Sequence, residues 1–282
     1  MGGESMGGES IGGASMGGGS MGGGSVTGSA DARLVRPFGP LVRLASRGVL
    51  GRRRTLLMAL IAAVPVLVAL IWLLTGQPDR PALFASTVLD PWVLTTVLPI
   101  IALVLGTSVL GSEIEDGTIV YLLSKPLPRW LIVAAAVTVA GLASAALVVA
   151  STALCWVAGL GSAAVTPDAA RILAGVAFGA VVYSFVAVAL SSLTGRALII
   201  GLLYVMLWEG SLASLLAGTR LLSVRQYVLA IAGISSDIDR PLGPAGSTVD
   251  APTAILLGLL VIVASFAIAV VRLRGFQVTE RS

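Results

Sequence analysis

Apolar residues occur along the chain in six long runs that short polar segments separate. A bilayer core of about 30 Å needs about 20 apolar helical residues to cross it, so each run predicts one transmembrane helix. The predicted spans are residues 56–74, 92–111, 130–160, 171–193, 197–217 and 253–271. The run 130–160 exceeds the necessary length, so that helix must tilt or protrude.

Composition supports an all-α integral membrane protein. Hydrophobic residues make up 56% of the 282 residues and charged residues only 11%, too little polar surface for a soluble domain. The six spans form one predicted domain, 56–282. Residues 1–30 form a Gly/Ser/Met-rich tail that begins with five pentad repeats and is predicted to be disordered. Residues 31–55 alternate arginine with apolar residues, which suits a helix in the headgroup layer or a basic linker.

Two shorter patterns bear on how the helices pack. Gly175 and Gly179 form a GxxxG pair that allows close helix approach, either within the bundle or at a contact between two copies of the chain. The semi-apolar segment 221–234 contains Arg225 and Gln226 and is too short and too polar to cross the bilayer.

The distribution of basic residues predicts the orientation. Thirteen of the 18 lysines and arginines fall on one side of the six predicted spans, and basic residues concentrate in cytoplasmic loops. Both termini are therefore expected in the cytoplasm, with the protein in the plasma (inner) membrane. The arginines lie at the ends of apolar runs and form no groove-sized patch, so no nucleic-acid partner is expected.

Several kinds of chemistry are excluded by residue type. The chain has no histidine, which removes histidine-based catalytic pairs and histidine metal ligands. Its one cysteine, Cys155, lies within an apolar run and is interpreted as a packing residue. No GxxxxGK[ST] phosphate-binding loop is present, so the chain is not expected to be an enzyme or to hydrolyse ATP itself.

The segment between the second and third spans, residues 111–130, carries the strongest functional signal. Three acids precede an apolar stripe at helical spacing, and Pro126 and Pro128 then end the helix. We interpret this as a short amphipathic helix, with the acids at its start, that docks a soluble partner. An ordinary polar loop is the alternative. The residues that define the predicted coupling site are Glu113, Glu115, Asp116, Gly117, Thr118, Tyr121 and Leu122.

The sequence GSEIEDGTIVYLLSKPLPR resembles the coupling region of ABC-2 type permeases, and the resemblance extends over roughly residues 40–275. It implies a permease subunit of an ATP-driven exporter that works as a dimer. It also implies a separate ABC ATPase subunit as partner, which holds ATP and Mg while this chain holds no cofactor. Many relatives have a lysine at the start of the third span, where this sequence reads LIVAAAVTV, so any role of that lysine does not transfer.

Glu209 is the one acid within the six predicted spans. A carboxylate inside a membrane is costly unless it is paired, neutral or facing water. Glu209 is therefore a candidate functional acid on a substrate pathway or in a pair with Arg171, Arg220 or Arg225. The alternative is a structural acid that reaches the outer interface or bonds a neighbouring helix.

Two other function classes stay open. An ion-gradient-driven secondary transporter would show internal repeats and several intramembrane charges, which the predicted spans lack. A non-transporting membrane scaffold would use the same cytoplasmic surface to recruit a soluble protein.

Overall fold

The structure, a computed structural model, describes residues 52–74, 81–115, 129–164, 167–207, 223–234 and 249–275, with backbone alone at 52–54, 110–115, 162–163 and 274–275. All regular structure in these ranges is helical. The elements are α1 (Arg52–Leu74), α2 (Pro81–Phe84), the π-helix π1 (Ala85–Val97), α3 (Leu98–Glu115), α4 (Arg129–Leu160), a 3-10 turn (Gly161–Ala164), α5 (Pro167–Leu193), α6 (Ala197–Tyr204), α7 (Val224–Ala232) and α8 (Ala251–Gly275).

Five helices in the described ranges are long and apolar enough to cross a membrane. They confirm the first, third, fourth and sixth predicted spans as α1, α4, α5 and α8, and the second as the continuous helix α2–π1–α3. The predicted fifth span is described only as the shorter apolar helix Ala197–Leu207, and residues 208–217 lie outside the described ranges. Helix α1 begins at Arg52, so its first turn includes four residues of the predicted basic segment, 52–55.

The predicted start of the second span, at residue 92, is wrong because the helix begins at Pro81. Polar residues and a proline at 91 interrupt the apolar run before Trp92. In the fold, π1 continues through Pro91, and the hydroxyls of Thr95 and Thr96 donate to the carbonyls of Asp90 and Pro91 at 2.9 and 2.8 Å. Long π-helices are rare, and π-helical turns are frequent at functional sites.

Helix α5 lies at the centre of the bundle and packs against α3, α4, α7 and α8. Small residues allow this close approach: a Cβ on Gly106 of α3 would come within 2.5 Å of the Ala187 Cβ on α5. The buried hydroxyls of Ser144 on α4 and Ser184 on α5 are 2.7 Å apart and share a hydrogen bond. Helices without a hydrophobic driving force between them associate through such packing and polar contacts.

Helix α1 packs against α4 around a proline. Pro65 lacks an N–H and weakens the backbone ladder of α1, yet the helix continues through it. Two α4 side chains bond carbonyls beside this site: the Ser151 hydroxyl donates to Ala62 at 2.5 Å, and the Cys155 thiol donates to Pro65 at 3.4 Å. Polar side chains of a neighbouring helix thus support a proline within a membrane helix, as expected in lipid.

The first and last spans present most of their apolar side chains to the outside of the bundle. Leu56, Leu60 and Ile71 of α1 and Leu256, Leu260 and Val263 of α8 are all more than 60% exposed. Such faces are unsuitable for water and suit contact with lipid.

Candidate functional site

The described part of the predicted coupling site is the end of α3. Helix α3 continues through Glu113 to Glu115, so both acids belong to the last turn of the second span. The prediction that they begin a separate helix is wrong, because the helix of the second span continues through Gly111 and an established helix extends readily. The other predicted coupling residues, Asp116, Gly117, Thr118, Tyr121 and Leu122, lie outside the described residues.

The chain leaves the coupling segment at Arg129, the first residue of α4. The Arg129 guanidinium donates a hydrogen bond to the carbonyl of Leu273, near the end of α8. The last carbonyls of a helix lack intrahelical partners and carry partial negative charge, so a cation is favourable there. The end of the coupling segment is therefore attached to the last span.

At the opposite end of the bundle, a partly buried ion pair joins π1 to α7. Arg225 donates from Nε to Asp90 Oδ1 at 2.8 Å and from the second terminal nitrogen to Oδ2 at 2.6 Å. The Asp90 side chain is 1% exposed and that of Arg225 19%. Two parallel charge-assisted hydrogen bonds fix the distance between the guanidinium and the carboxylate and their relative orientation.

Helix α7 is too short to cross a bilayer. Its nine residues cover about 14 Å at 1.5 Å per residue, less than half of the thickness of a bilayer core. The prediction that segment 221–234 does not cross the membrane agrees with this length. The helix packs between α5, α8 and π1, and Tyr227 and Val228 are fully buried. It ends at Gly233, whose φ of +69° is a left-handed conformation that glycine adopts without strain.

The GxxxG pair of α5 is the contact surface for α7. A Cβ on Gly175 would lie 2.9 Å from the Val228 carbonyl oxygen, and one on Gly179 would lie 2.4 Å from a Val228 methyl group. The pair therefore serves packing within the chain.

The ion pair makes charge tolerable inside the bundle. A lone carboxylate in hydrocarbon is costly, whereas a hydrogen-bonded partner of opposite charge offsets most of that cost. No group of three or more potential metal-ligating side chains occurs among the described residues. The geometry thus supports attachment of one helix to another.

Comparison with known families agrees with the helical architecture. A family model described as "ABC-2 family transporter protein" matches residues 50–224, more than half of the chain. The chain belongs to the ABC-2 transporter family. No curated protein matches it.

Membership in the ABC-2 family identifies the chain as a multi-pass membrane protein of the transporter class. The matched region contains four of the five long membrane helices, the whole coupling segment and Asp90, and it ends one residue before Arg225. An ABC-2 permease generally works with an ABC ATPase, which is the class of partner that the sequence predicts.

Asp90 is the residue of this ABC-2 protein that the sequence-based interpretation missed. The prediction that Glu209 is the one intramembrane acid is wrong, because Asp90 lies inside the second span. Glu209 itself lies outside the described residues, and Arg225, one of its suggested partners, pairs with Asp90. The apolar residues on both sides of Asp90–Pro91 were the available signal, since Leu83–Leu89 and Val93–Leu98 together extend the apolar run.

Proposed function

We propose that the chain is the membrane-spanning permease subunit of an ATP-driven ABC exporter in the plasma (inner) membrane. The match to the ABC-2 family over residues 50–224 carries this proposal. The proposed topology has six membrane helices and both termini in the cytoplasm. It consists of the five long helices and one further span, the fifth in chain order, which begins at Ala197. The orientation of the helices across the membrane is taken from the arginine distribution.

The proposed contact with the ATPase is the segment between α3 and α4. Its acids and apolar stripe, Glu113, Glu115, Asp116, Gly117, Thr118, Tyr121 and Leu122, would bind the partner. Because the segment is continuous with the second and third spans, movement of the partner would pass directly to α3 and α4. The Arg129–Leu273 hydrogen bond would pass it on to the last span.

Hydrolysis is assigned to the separate subunit, which would hold ATP and Mg, since this sequence contains no phosphate-binding loop. The permease is proposed to work as a dimer, and the exposed apolar faces of α1 and α8 are available for lipid and for a second permease. Glu209 is proposed as an acid on the substrate pathway.

The experiment is co-purification of the tagged chain with the ABC ATPase encoded beside it, followed by measurement of ATP hydrolysis. The test variant is Glu113→Ala/Asp116→Ala. A matched control is Asp168→Ala, which removes an exposed carboxylate in the first turn of α5. This position follows the end of the third span that is away from the coupling segment.

We expect the test variant to lose ATPase binding or permease-dependent hydrolysis, while the control behaves as the unmodified chain. Both variants must elute as folded protein in detergent. Normal binding by the test variant would refute the assignment of the coupling site. Failure of any ATPase to associate would refute the permease assignment, and binding without an effect on hydrolysis would favour a scaffold.

A further inference from the structure

Helix α7 lies in the half of the bundle away from the coupling segment. Its contact residues on α5, Gly175 and Gly179, are 8 and 12 residues past Pro167, the start of that helix. At 1.5 Å per residue these positions are about 12 and 18 Å from the end of α5 that follows the third span. A half-length helix is thus inserted between membrane helices on the side opposite the ATPase contact.

Two contacts that attach α7 to its neighbours differ in kind. Toward α5, Val228 and Ala232 of α7 lie against Gly175 and Gly179. Toward π1, the contact includes two charge-assisted hydrogen bonds from Arg225, the second residue of α7, to Asp90. Separating α7 from π1 would leave the Asp90 carboxylate, 1% exposed, without this cation, so the two elements are strongly held together.

The helix that carries Asp90 also leads to the coupling segment. Glu115, the last residue of α3, follows Asp90 by 25 residues on the continuous helix π1–α3, a distance of about 35 Å. The segment around Asp90 is π-helical, a geometry that is rare in long stretches and frequent at functional sites. Displacement of α3 would therefore move the carboxylate that holds α7.

We propose that Asp90 and Arg225 are positioning residues that make α7 move with the second span during transport. This inference rests on the proposed function in one respect, since ATP hydrolysis by a partner supplies the movement. The attachment itself, in which the ion pair holds α7 between α5 and α8, is a property of this chain alone. The two parts are tested separately.

The experiment measures how fast a cysteine on α7 reacts with a small maleimide. In a Cys155→Ser background, which retains a donor toward the Pro65 carbonyl, Val228→Cys introduces a fully buried thiol facing α5. Val148→Cys, equally buried in α4, is the control for general loosening of the bundle. Each is combined with Asp90→Asn, Arg225→Gln and the charge-conserving Asp90→Glu, and with Ser144→Ala as a control for loss of another buried polar contact.

Without nucleotide, we expect Val228→Cys to react about tenfold faster or more when either Asp90→Asn or Arg225→Gln is present, which corresponds to about 1.4 kcal/mol of attachment free energy. With Asp90→Glu, which keeps the negative charge, Val228→Cys should react more slowly than with Asp90→Asn. Ser144→Ala should leave the rate unchanged, and Val148→Cys should react slowly in every combination. Equal rates for Val228→Cys in all variants, or a parallel increase at Val148→Cys, would overturn the inference.

In the complex with the ATPase, we expect the Val228→Cys rate to differ between the nucleotide-free and the ATP–vanadate states. This difference should disappear in Asp90→Asn and return in Asp90→Glu. A complex that hydrolyses ATP with no change in labelling would refute the coupled movement and leave the proposed function intact. If no ATPase binds, the proposed function and the ATP-driven movement both fail, and the nucleotide-free rates still decide whether the ion pair holds α7.

Discussion

Substitution of Gly175 by alanine is expected to destabilise the protein, because α7 lies directly against that position. The added Cβ would lie 2.9 Å from the Val228 carbonyl oxygen and 3.2 Å from the Ala232 nitrogen. Both are backbone atoms, which cannot rotate away as a side chain does. Either α7 or α5 must shift, and overpacking of this kind costs about 1–3 kcal/mol.

The matched control is Gly141→Ala in α4. Gly141 is also buried within a membrane helix, yet its Cβ would meet only a Val181 methyl group at 3.8 Å, an ordinary contact. Alanine is favoured over glycine in a helix by about 1 kcal/mol, and this gain applies to both variants. The difference in stability between them therefore isolates the overpacking cost.

The assay is the apparent Tm of the two purified variants in the same detergent. A difference of 1–3 kcal/mol corresponds to about 2–12 °C for a domain of this size. Gly179→Ala should fall between the two, because its Cβ would meet a rotatable Val228 methyl group. Equal Tm values for Gly175→Ala and Gly141→Ala would show that α7 does not pack against α5 at this position and would refute the reasoning.

Two further predictions concern polar contacts elsewhere. Ser151→Ala removes the donor to the Ala62 carbonyl beside Pro65 and should lower the stability by about 0.6 kcal/mol in the same Tm assay. The control is Ser192→Ala, whose hydroxyl bonds within its own helix, and it should lower the stability less. Equal losses would contradict the role of Ser151. At the start of α8, the hydroxyl and N–H of Thr253 hold the pKa of Asp250 below its ordinary value, so this cap is intact above the ordinary pKa and is lost as pH falls through the lowered one. In the unmodified chain, hydrogen exchange at residues 251–254 should accelerate relative to intrinsic exchange as the pH falls through that acidic range. In Asp250→Asn it should not. The same pH dependence in both proteins would contradict the assignment.

The second span marks the limit of prediction from local hydropathy. Residues 81–91 lie outside the predicted second span, and serine, threonine, aspartate and proline interrupt the apolar run there. Their polar groups are accommodated by contacts that form only in the fold, above all the pairing of Asp90 with a residue 135 positions later. Local composition carries no information about such a partner.

The length and hydropathy of the runs determined by themselves that this is a helical membrane protein, because a bilayer admits few other backbone arrangements. The same property determined α1, α4, α5 and α8 to within a few residues, and the segment 111–130 indicated the family that the comparison then showed. Only the tertiary structure decided that the GxxxG pair receives α7 and that Asp90 lies inside the bundle. Those features depend on which helix faces which, and contacts between helices distant in sequence determine that arrangement.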